Sequence, residues 1–457
     1  MGQPLPRALR GFAGPVTTGR APDAVGEGMQ TAVTFRPDVT VEPLNTADVI
    51  RAVDHAASHE IPLRVSNTGH GATSAEGGLL VRTHRLTEVH IDPDQQVADL
   101  APGATWGQVA AAAAPHGLVP LGGTASTVGA VGYTVGGGIS PLSRTYGYAA
   151  DHVLGLDLVT PDGRLRTLDA ETEPELFWAA RGAAANLGVV TRLRCRLFPI
   201  AHLHAGALTF DLDDWAEVTD RYLDWTAGLP ETTGSFLSLK NFPDTPDLPQ
   251  PIRGRRTATI YVTSLGTAAD LATSLEPLRR LPLAADTVTE IAAADVALVF
   301  NEPTWPHPFQ GDALAAMGVN ASALTSTLSH LSAEVEVPTF VFVHHLGGAM
   351  NTAPDPANVV GNRTAPYLVR IVTSPTPSTD AAATAVEHDH ALRSLSVEPT
   401  GRVANFLFGD NLRTAPLADC YDTADLERLT GLVHQVDPGG ILRPARGPIS
   451  TTRHRHG

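Results

Sequence analysis

The glycine-rich segment from Pro120 to Gly138 constrains this chain more than any other stretch of its sequence. Its residues, PLGGTASTVGAVGYTVGGG, include seven glycines after Leu121 and no charged side chain. A helix is not expected to survive so many glycines, and a surface loop is normally more polar. We therefore expect this segment to be backbone that wraps closely around something buried.

A second glycine turn, Asn67-Thr68-Gly69-His70-Gly71, follows a strand predicted at Leu63 to Ser66. Backbone N–H groups in such turns can point at a pyrophosphate, and glycine allows the close approach because it adopts left-handed conformations. A Rossmann fingerprint is a poor fit, because Gly69-x-Gly71 lacks a third glycine before a helix and no acidic residue follows at the expected spacing. Two separated turns instead favour a longer cofactor lying between them.

Composition narrows the classes of partner. A chain of 457 residues fits two domains, and its formal net charge of -16 disfavours nucleic acid as a partner. Its two cysteines, Cys195 and Cys420, have neither zinc spacing nor a disulfide framework, so we expect them to be buried, and we predict no metal site. The chain has no apolar run of about 18 residues, and its first residues lack a signal-peptide pattern, so we predict a cytoplasmic protein without a membrane partner.

Local patterns predict helices and strands before residue 200. Helices are expected at Thr46 to Glu60, behind a capping box at Thr105 to Gln108, and behind a second box at Thr172 to Glu175. Gly182 is expected to end the third helix. Two strands are expected on either side of the turn Pro161-Asp162-Gly163.

The centre of the chain has another pattern, in which strand-like runs alternate with helical ones. The strands are predicted at Ser235 to Leu239, Thr257 to Ser264, Thr339 to Leu346 and Tyr367 to Thr373, and the helices at Thr267 to Leu281 and Thr379 to Leu395. This order indicates an α+β domain with helices on one face of its sheet. We predict three segments: 1–200, 201–400 and a return segment 401–457, which includes a helix at Thr423 to Gln435.

Several motifs follow one another in an order that resembles the FAD-binding domain of berberine-bridge-enzyme-like oxidases. In the first 200 residues they are Arg64, Asn67 to Gly71, Thr127 to Gly129, Gly136 to Gly138, Arg144 to Gly147, Asp151, Trp178 to Gly182 and Asn186 to Val190. The segments Arg402 to Leu407 and Asp437 to Ile449 resemble the closing part of that family. The resemblance covers roughly the first 200 and the last 60 residues.

The resemblance implies an α+β fold of the vanillyl-alcohol-oxidase type, in which a split PCMH-type FAD-binding domain flanks a substrate domain built on an antiparallel sheet. It also implies FAD bound covalently through His70 to the 8α-methyl group of the flavin. Some family members have a second tether, a cysteine before the Thr-Val-Gly motif. This chain has Ala125-Ser126 there, so one histidyl link is the most that is implied.

The resemblance and the glycine turns together give a set of predicted site residues. The predicted cofactor-binding residues are Arg64, Ser66, Asn67, Thr68, Gly69, His70, Gly71, Gly123, Thr124, Thr127, Val128, Gly129, Gly132, Gly136, Gly137, Gly138, Tyr146, Asp151, Gly188, Val190 and Asn405. The predicted catalytic residues are Tyr133, His345 and Asn405. Family members commonly have a tyrosine two residues before the terminal asparagine, where this chain has Val403. Candidates to replace that base are Tyr133, Tyr146, His344, His345, Arg363 and Glu302.

Three functions are compatible with these features. The leading hypothesis is an FAD-linked oxidase that takes a hydride from a small organic substrate, secondary-metabolite or sugar-like, to flavin N5, with oxygen as electron acceptor. A second keeps the flavin but catalyses a cyclisation or another step without net oxidation. A third is a non-catalytic protein that binds a small molecule, against which the charge-free, glycine-dense segment argues.

Overall fold

The computed structural model describes residue 9 and residues 11–19, 28–210, 215–242, 244–246, 250, 253–324, 326–327, 337–409, 417–444 and 449. Most of the N-terminal segment used to predict location, and residues 445–448 of the predicted closing segment, lie outside this range. Within the described part of the chain, no helix has both the length and the apolar character needed to cross a membrane. Both cysteines are buried, as expected.

Three small sheets form the N-terminal part of the molecule. Their strands are β1 (Val16–Thr18), β2 (Phe35–Arg36), β3 (Val39–Val41), β4 (Leu63–Ser66), β5 (Ala75–Glu76), β6 (Leu79–Arg82), β7 (Val89–Asp92), β8 (Val97–Leu100), β9 (Val153–Val159), β10 (Leu165–Leu168) and β11 (Val189–Arg196). One sheet has the order β1-β3-β6-β4, with β3 and β4 parallel to β6. Another is antiparallel, with the order β10-β9-β11-β8-β7, and β2 pairs with β5.

The helices of this part are α1 (Thr46–Ser58), α2 (Trp106–Ala113), α3 (Ala130–Thr134), α4 (Ser143–Tyr146) and α5 (Pro174–Ala183). Helix α1 confirms the helix predicted at Thr46 to Glu60; it buries Val49, Val53 and Ala56, and Asn45 caps it. Helix α2 has the complete capping box that the sequence predicts.

Two predictions for this part were wrong. Thr172 does not cap α5, because its N–H donates to the carboxylate of Asp169 at 2.6 Å and the N-cap is Glu173, in a left-handed conformation. Helix α3 lies inside the glycine-rich segment, where we expected none. It is only five residues long, and it forms because Val131 is buried in the core and the Thr134 hydroxyl donates to the Ala130 carbonyl.

One nine-stranded sheet forms the central part, and its strands are antiparallel to their neighbours. The strands are β12 (His202–Phe210), β13 (Thr233–Asn241), β14 (Arg256–Ser264), β15 (Ala285–Asp286), β16 (Thr289–Ala292), β17 (Gln310–Val319), β18 (Thr339–His345), β19 (Tyr367–Thr373) and β20 (Ser396–Arg402). The four strands predicted from sequence are confirmed as β13, β14, β18 and β19, and the two predicted helices as α7 and α8. The helices are α6 (Trp215–Thr226), α7 (Ala268–Arg279) and α8 (Ala381–Leu395).

The two faces of the nine-stranded sheet have different partners. Helices α6, α7 and α8 pack on the outer face, against side chains such as Leu237 and Val343, so the predicted α+β arrangement is confirmed. The inner face carries Phe236, Tyr261 and Phe342, which pack towards the N-terminal part around Leu121. This inner face is therefore one wall of the space between the two parts.

The C-terminal segment returns to the N-terminal part. Helix α9 (Thr423–Val436) contributes Leu426 and Leu429 to the core around the five-stranded sheet. Further along, the Leu63 N–H donates to the Ile441 carbonyl and the Arg443 N–H to the Leu63 carbonyl, each at 2.8 Å. Residues 441–443 therefore lie beside β4, the strand that leads into the glycine turn Asn67 to Gly71.

Candidate functional site

A cavity of about 640 Å³ lies between the two glycine turns and the inner face of the nine-stranded sheet. Most of the predicted cofactor-binding residues line it, namely Arg64, Ser66, Asn67, Thr68, Gly69, His70, Gly71, Gly123, Thr124, Val128, Gly129, Gly132, Gly136, Gly188, Val190 and Asn405. The fold thus brings onto one surface residues that lie more than 300 positions apart in the sequence. The cavity runs from a glycine-rich wall to an aromatic one.

The side chain of Asn67 has unsatisfied polar atoms on the glycine-rich wall. Both polar atoms of its side-chain amide are buried, and neither has a hydrogen-bond partner among the described residues. Gly129 lies against it, since a Cβ on Gly129 would come within 2.6 Å of the Asn67 amide nitrogen. Buried amides are normally hydrogen-bonded, so this one is suited to a polar group that enters the cavity.

Gly132 also lines the cavity, but unlike Gly129 it has no other group packed against it. A Cβ built on this residue would meet no atom within 4 Å, so the backbone of α3 borders open space here. The unsatisfied Asn67 amide and the uncovered backbone at Gly132 together fit a large ligand that has both polar and flat apolar parts.

His70 presents its imidazole ring to the cavity. Its Nε2 atom lies 2.9 Å from the Thr127 hydroxyl, and the residue lines the cavity. Burial, reinforced by the nearby His307, lowers the pKa of His70 to about 4. The ring is therefore neutral at physiological pH and keeps a nitrogen lone pair, as a nucleophile requires.

Asn405 joins the C-terminal segment to the glycine-rich segment. Its side-chain oxygen accepts from the Gly138 N–H at 3.1 Å, and its side-chain nitrogen donates to the Tyr133 carbonyl at 2.9 Å. Both ends of the amide are thus committed to backbone. Asn405 lines the cavity, but these bonds make it a clamp on the wall around α3.

The remaining predicted residues lie behind the lining. Thr127 contacts His70, while Gly137 and Gly138 adopt positive φ angles next to Asn405. The ring of Tyr146 packs on Phe198 at 4.2 Å.

Asp151 lies in a buried network away from the cavity lining. It accepts from Asn358 at 2.7 Å and from Arg363 at 2.6 Å, so both Asp151 and Arg363, a candidate base, are held in an ion pair.

Val403, where the family commonly has a tyrosine, is likewise not part of the lining. Its side chain packs with the cluster around Tyr148 and Met350. A side chain at this position therefore points away from the cavity in this chain.

The aromatic wall includes two histidines from the end of β18. His344 stacks on Phe236 with a ring-centroid distance of 4.8 Å, and burial and the charge of Arg370 lower its pKa well below the usual value. His345 contacts Arg144, and burial, with the charge of Arg144, lowers its pKa to about 3. Both rings border the cavity and both are neutral at physiological pH.

Tyr133 also borders the cavity, and its hydroxyl is buried without a hydrogen-bond partner among the described residues. Its ring meets Trp106 edge-on, with centroids 5.8 Å apart. Burial raises the pKa of Tyr133 well above the usual value. The phenol therefore keeps its proton and is suited to donate a hydrogen bond rather than to accept a proton.

Two charged residues lie on the aromatic wall. Glu302, one of the predicted base candidates, lines the cavity and accepts a hydrogen bond from the Thr124 hydroxyl at 3.2 Å. Arg370, on β19, was not among the predicted site residues. The signal for it was available, since an arginine interrupts the otherwise apolar run YLVRIVT.

Comparisons with known proteins agree with this geometry. Residues 37–169 match a family described as FAD binding domain. An FAD-linked oxidoreductase, easE, of Trichophyton verrucosum is 38% identical over 201 residues, which are 40% of this chain and 33% of that protein. The (R)-6-hydroxynicotine oxidase of Paenarthrobacter nicotinovorans is 32% identical over 208 residues, 45% of this chain and 42% of that enzyme. The chain thus spans less than half the length of these relatives.

Solved structures resemble nearly the whole chain. The 6-hydroxy-D-nicotine oxidase of Arthrobacter nicotinovorans has a TM-score of 0.81 at 20% identity, over 96% of this chain and 98% of that one. A carbohydrate oxidase of Microdochium nivale also has a TM-score of 0.81, at 18% identity, over 98% of this chain and 99% of that one. The predicted α+β fold, with a PCMH-type FAD-binding domain and an antiparallel sheet, is confirmed.

Proposed function

We propose that this chain is an FAD-dependent oxidoreductase that oxidises a small organic substrate, and the match of residues 37–169 to a family described as FAD binding domain supports this. The observation that carries the proposal is the single cavity that joins both glycine turns to an aromatic sheet face. A cofactor held by the turns would present its ring next to a substrate held by the sheet. When bound, FAD supplies an acceptor for a hydride and passes the electron pair on, in this proposal to oxygen.

We assign the cofactor to the glycine-rich wall. The Asn67 amide supplies a donor and an acceptor, and Gly132 and Gly136 allow close approach of the ring system. His70 is the covalent anchor, since its neutral imidazole faces the cavity and Thr127 fixes its orientation. A single link is proposed because both cysteines are buried in the core around the five-stranded sheet, outside the cavity lining.

We assign the proton acceptor to Glu302. Removing a hydride from a carbon that carries a hydroxyl or amine group requires a base for the O–H or N–H proton. Among the cavity-lining candidates, Tyr133 keeps its own proton, and His344 and His345 have little basicity because their pKa values are lowered. Glu302 is the carboxylate among them, and the Thr124 hydroxyl holds one of its oxygens.

Acid precipitation of the purified protein tests the cofactor assignment. Flavin absorbance is expected in the washed pellet of the wild-type protein and in the supernatant of His70→Ala. His116→Ala, a change at an exposed histidine, is the matched control and should keep flavin in the pellet. Colourless wild-type protein would overturn the proposal, whereas flavin in the wild-type supernatant would overturn only the covalent link.

Photoreduction tests the redox function. With EDTA as the electron donor, the bound flavin should bleach anaerobically in the light and regain its absorbance within seconds to minutes when air is admitted. If an artificial quinone reoxidises the reduced flavin but air does not, the electron acceptor is a molecule other than oxygen. Failure with both would favour a binding protein or a reaction without net oxidation.

A further inference from the structure

The guanidinium group of Arg370 lies in the aromatic part of the cavity. Its carbon is 4.3 Å from the ring centroid of Phe342 and 4.8 Å from that of Phe406. Its cross-strand neighbour on β17 is Ala313, a small residue. The cation is therefore held by ring faces on the inner side of the sheet.

The N–H donors of Arg370 are not used by protein groups. Its Nε atom is buried, and no hydrogen bond or ion pair to this side chain occurs among the described residues. Contacts with ring faces attract the charge but satisfy no N–H donor in the plane of the group. A buried, unsatisfied guanidinium is costly unless a ligand completes it, so its donors indicate a binding partner.

The charges around the aromatic wall do not cancel locally. Burial lowers the pKa of Arg370 to about 10, so the group is still charged at physiological pH. Glu302 attracts both Arg370 and the half-buried Lys240, whose ammonium lies 6.0 Å from the Phe340 ring. One carboxylate thus acts on two cations, Arg370 in the cavity lining and Lys240 outside it, so Glu302 is not a partner of Arg370 alone.

From these contacts we infer that the substrate carries a carboxylate attached to an aromatic or other planar unsaturated ring, and that Arg370 binds this carboxylate. The inference rests on the proposed oxidoreductase function and names its substrate class. A guanidinium offers a planar fork that matches the two oxygens of a carboxylate. The surrounding rings of Phe236, Tyr261 and Phe300 provide flat apolar surface for the ring. The group to be oxidised then lies on the side of Glu302.

Calorimetric binding of two matched probes to the flavin-containing protein tests the inference. The probes are 2-naphthoate and its neutral analogue 2-naphthamide, which share ring and shape. The wild-type protein should bind the acid at least about tenfold more tightly than the amide, as expected for a charge-assisted hydrogen bond. Arg370→Gln should remove that preference with affinity for the amide changed by less than about threefold, and Arg370→Lys should retain part of it.

Arg221→Gln is the matched control, because it removes an exposed arginine from α6 on the outer side of the same sheet. It should bind both probes like the wild type. Equal affinity of the wild-type protein for acid and amide would overturn the inference, as would an acid preference that survives in Arg370→Gln. Flavin content and air reoxidation, measured on the same samples, test the proposed function separately, so a reoxidising flavoprotein without acid preference would lose only the carboxylate inference.

Discussion

Arg144 donates from Nη1 to Nε2 of His345 across 3.0 Å. An arginine has only donors, so Nε2 must be the acceptor and the imidazole carries its proton on Nδ1, which is buried and has no partner among the described residues. The nitrogen that could take a proton is therefore already engaged by a cation. His345 borders the cavity, but this contact suits it to fix the position of β18 rather than to act as a base.

Replacing the two candidate proton acceptors one at a time distinguishes them. Glu302→Gln should lower the rate of anaerobic flavin reduction by substrate about 10²–10⁴-fold, because a positioned base contributes that much. His345→Gln should lower it less than about tenfold, because glutamine can still accept from Arg144.

Glu290→Gln, at an exposed position on β16, is the charge-matched control and should reduce at the wild-type rate. A large loss in His345→Gln with little change in Glu302→Gln would transfer the base to the histidine. Unchanged flavin content in all three variants shows that the cofactor site is intact.

Removing the hydroxyl of Thr127 should impair attachment of the cofactor. Thr127→Val keeps the shape of the side chain but leaves His70 free to rotate, so a smaller share of the flavin should stay with the acid-precipitated protein. Thr273→Val, on the exposed side of α7, is the control and should retain all of it. Full covalent retention in Thr127→Val would show that the 2.9 Å contact does not orient the imidazole.

Gly138→Ala should destabilise the protein strongly. Gly138 has a φ of +77°, and its Cβ would come within 2.6 Å of the Tyr133 ring and 2.8 Å of the Ala149 side chain. We expect the free energy of unfolding to fall by about 1–3 kcal/mol, measured by urea denaturation. Gly228→Ala meets no atom within 4 Å and should change it by less than about 0.5 kcal/mol. Equal midpoints for both variants would contradict the packing described around Gly138.

His388 should make stability depend on pH. It is buried in α8 against Thr373, with Nε2 2.8 Å from the hydroxyl, and burial lowers its pKa from 6.5 to about 3. The unfolded chain therefore takes up a proton at this residue below about pH 6.5, while the folded protein does not. The contribution to stability is complete above that pH and is lost progressively as the pH falls towards 3.

His388→Gln removes this proton uptake and keeps a hydrogen-bonding side chain. Its free energy of unfolding should fall less than that of the wild type on acidification from pH 7, with a difference in slope of about 1.4 kcal/mol per pH unit below about pH 6. His116→Gln, at an exposed position, should follow the wild-type curve. Parallel curves for His388→Gln and wild type would show that this histidine is protonated in the folded protein.

The two glycine turns and His70 could be predicted from the sequence because each is a local feature. High glycine density, a histidine flanked by glycines, the ordered motifs and the four central strands can each be recognised within short stretches of sequence. Arg370 shows the limit. Its role depends on contacts with two rings: Phe342 lies beside it on the paired strand β18, and Phe406 comes from a distant segment of the chain.

Other contacts could not be predicted because they connect distant parts of the chain. The Gln30 side chain accepts from the Phe309 N–H at 3.2 Å across 279 positions, and Asn405 clamps Gly138 across 267. The failed cap at Thr172 has a different cause, since the nearby Asp169 carboxylate accepts from the Thr172 N–H, which a capping box would pair with the Glu175 side chain. Sequence patterns thus located the ligand-facing backbone, while long-range pairing decided which side chains meet it.

The bonds between Leu63 and residues Ile441 and Arg443 have a consequence for biosynthesis. The strand that leads into the His70 turn is completed by residues made almost 380 positions later, so a ribosome must release the chain as far as Arg443 before this wall of the cavity can close. Contacts between residues so far apart in sequence form slowly, because closing the intervening loop costs conformational entropy before the contacts can stabilise it. The flavin attachment that we propose at His70 should consequently follow synthesis of Arg443, and a nascent chain stalled before residue 441 should carry no flavin.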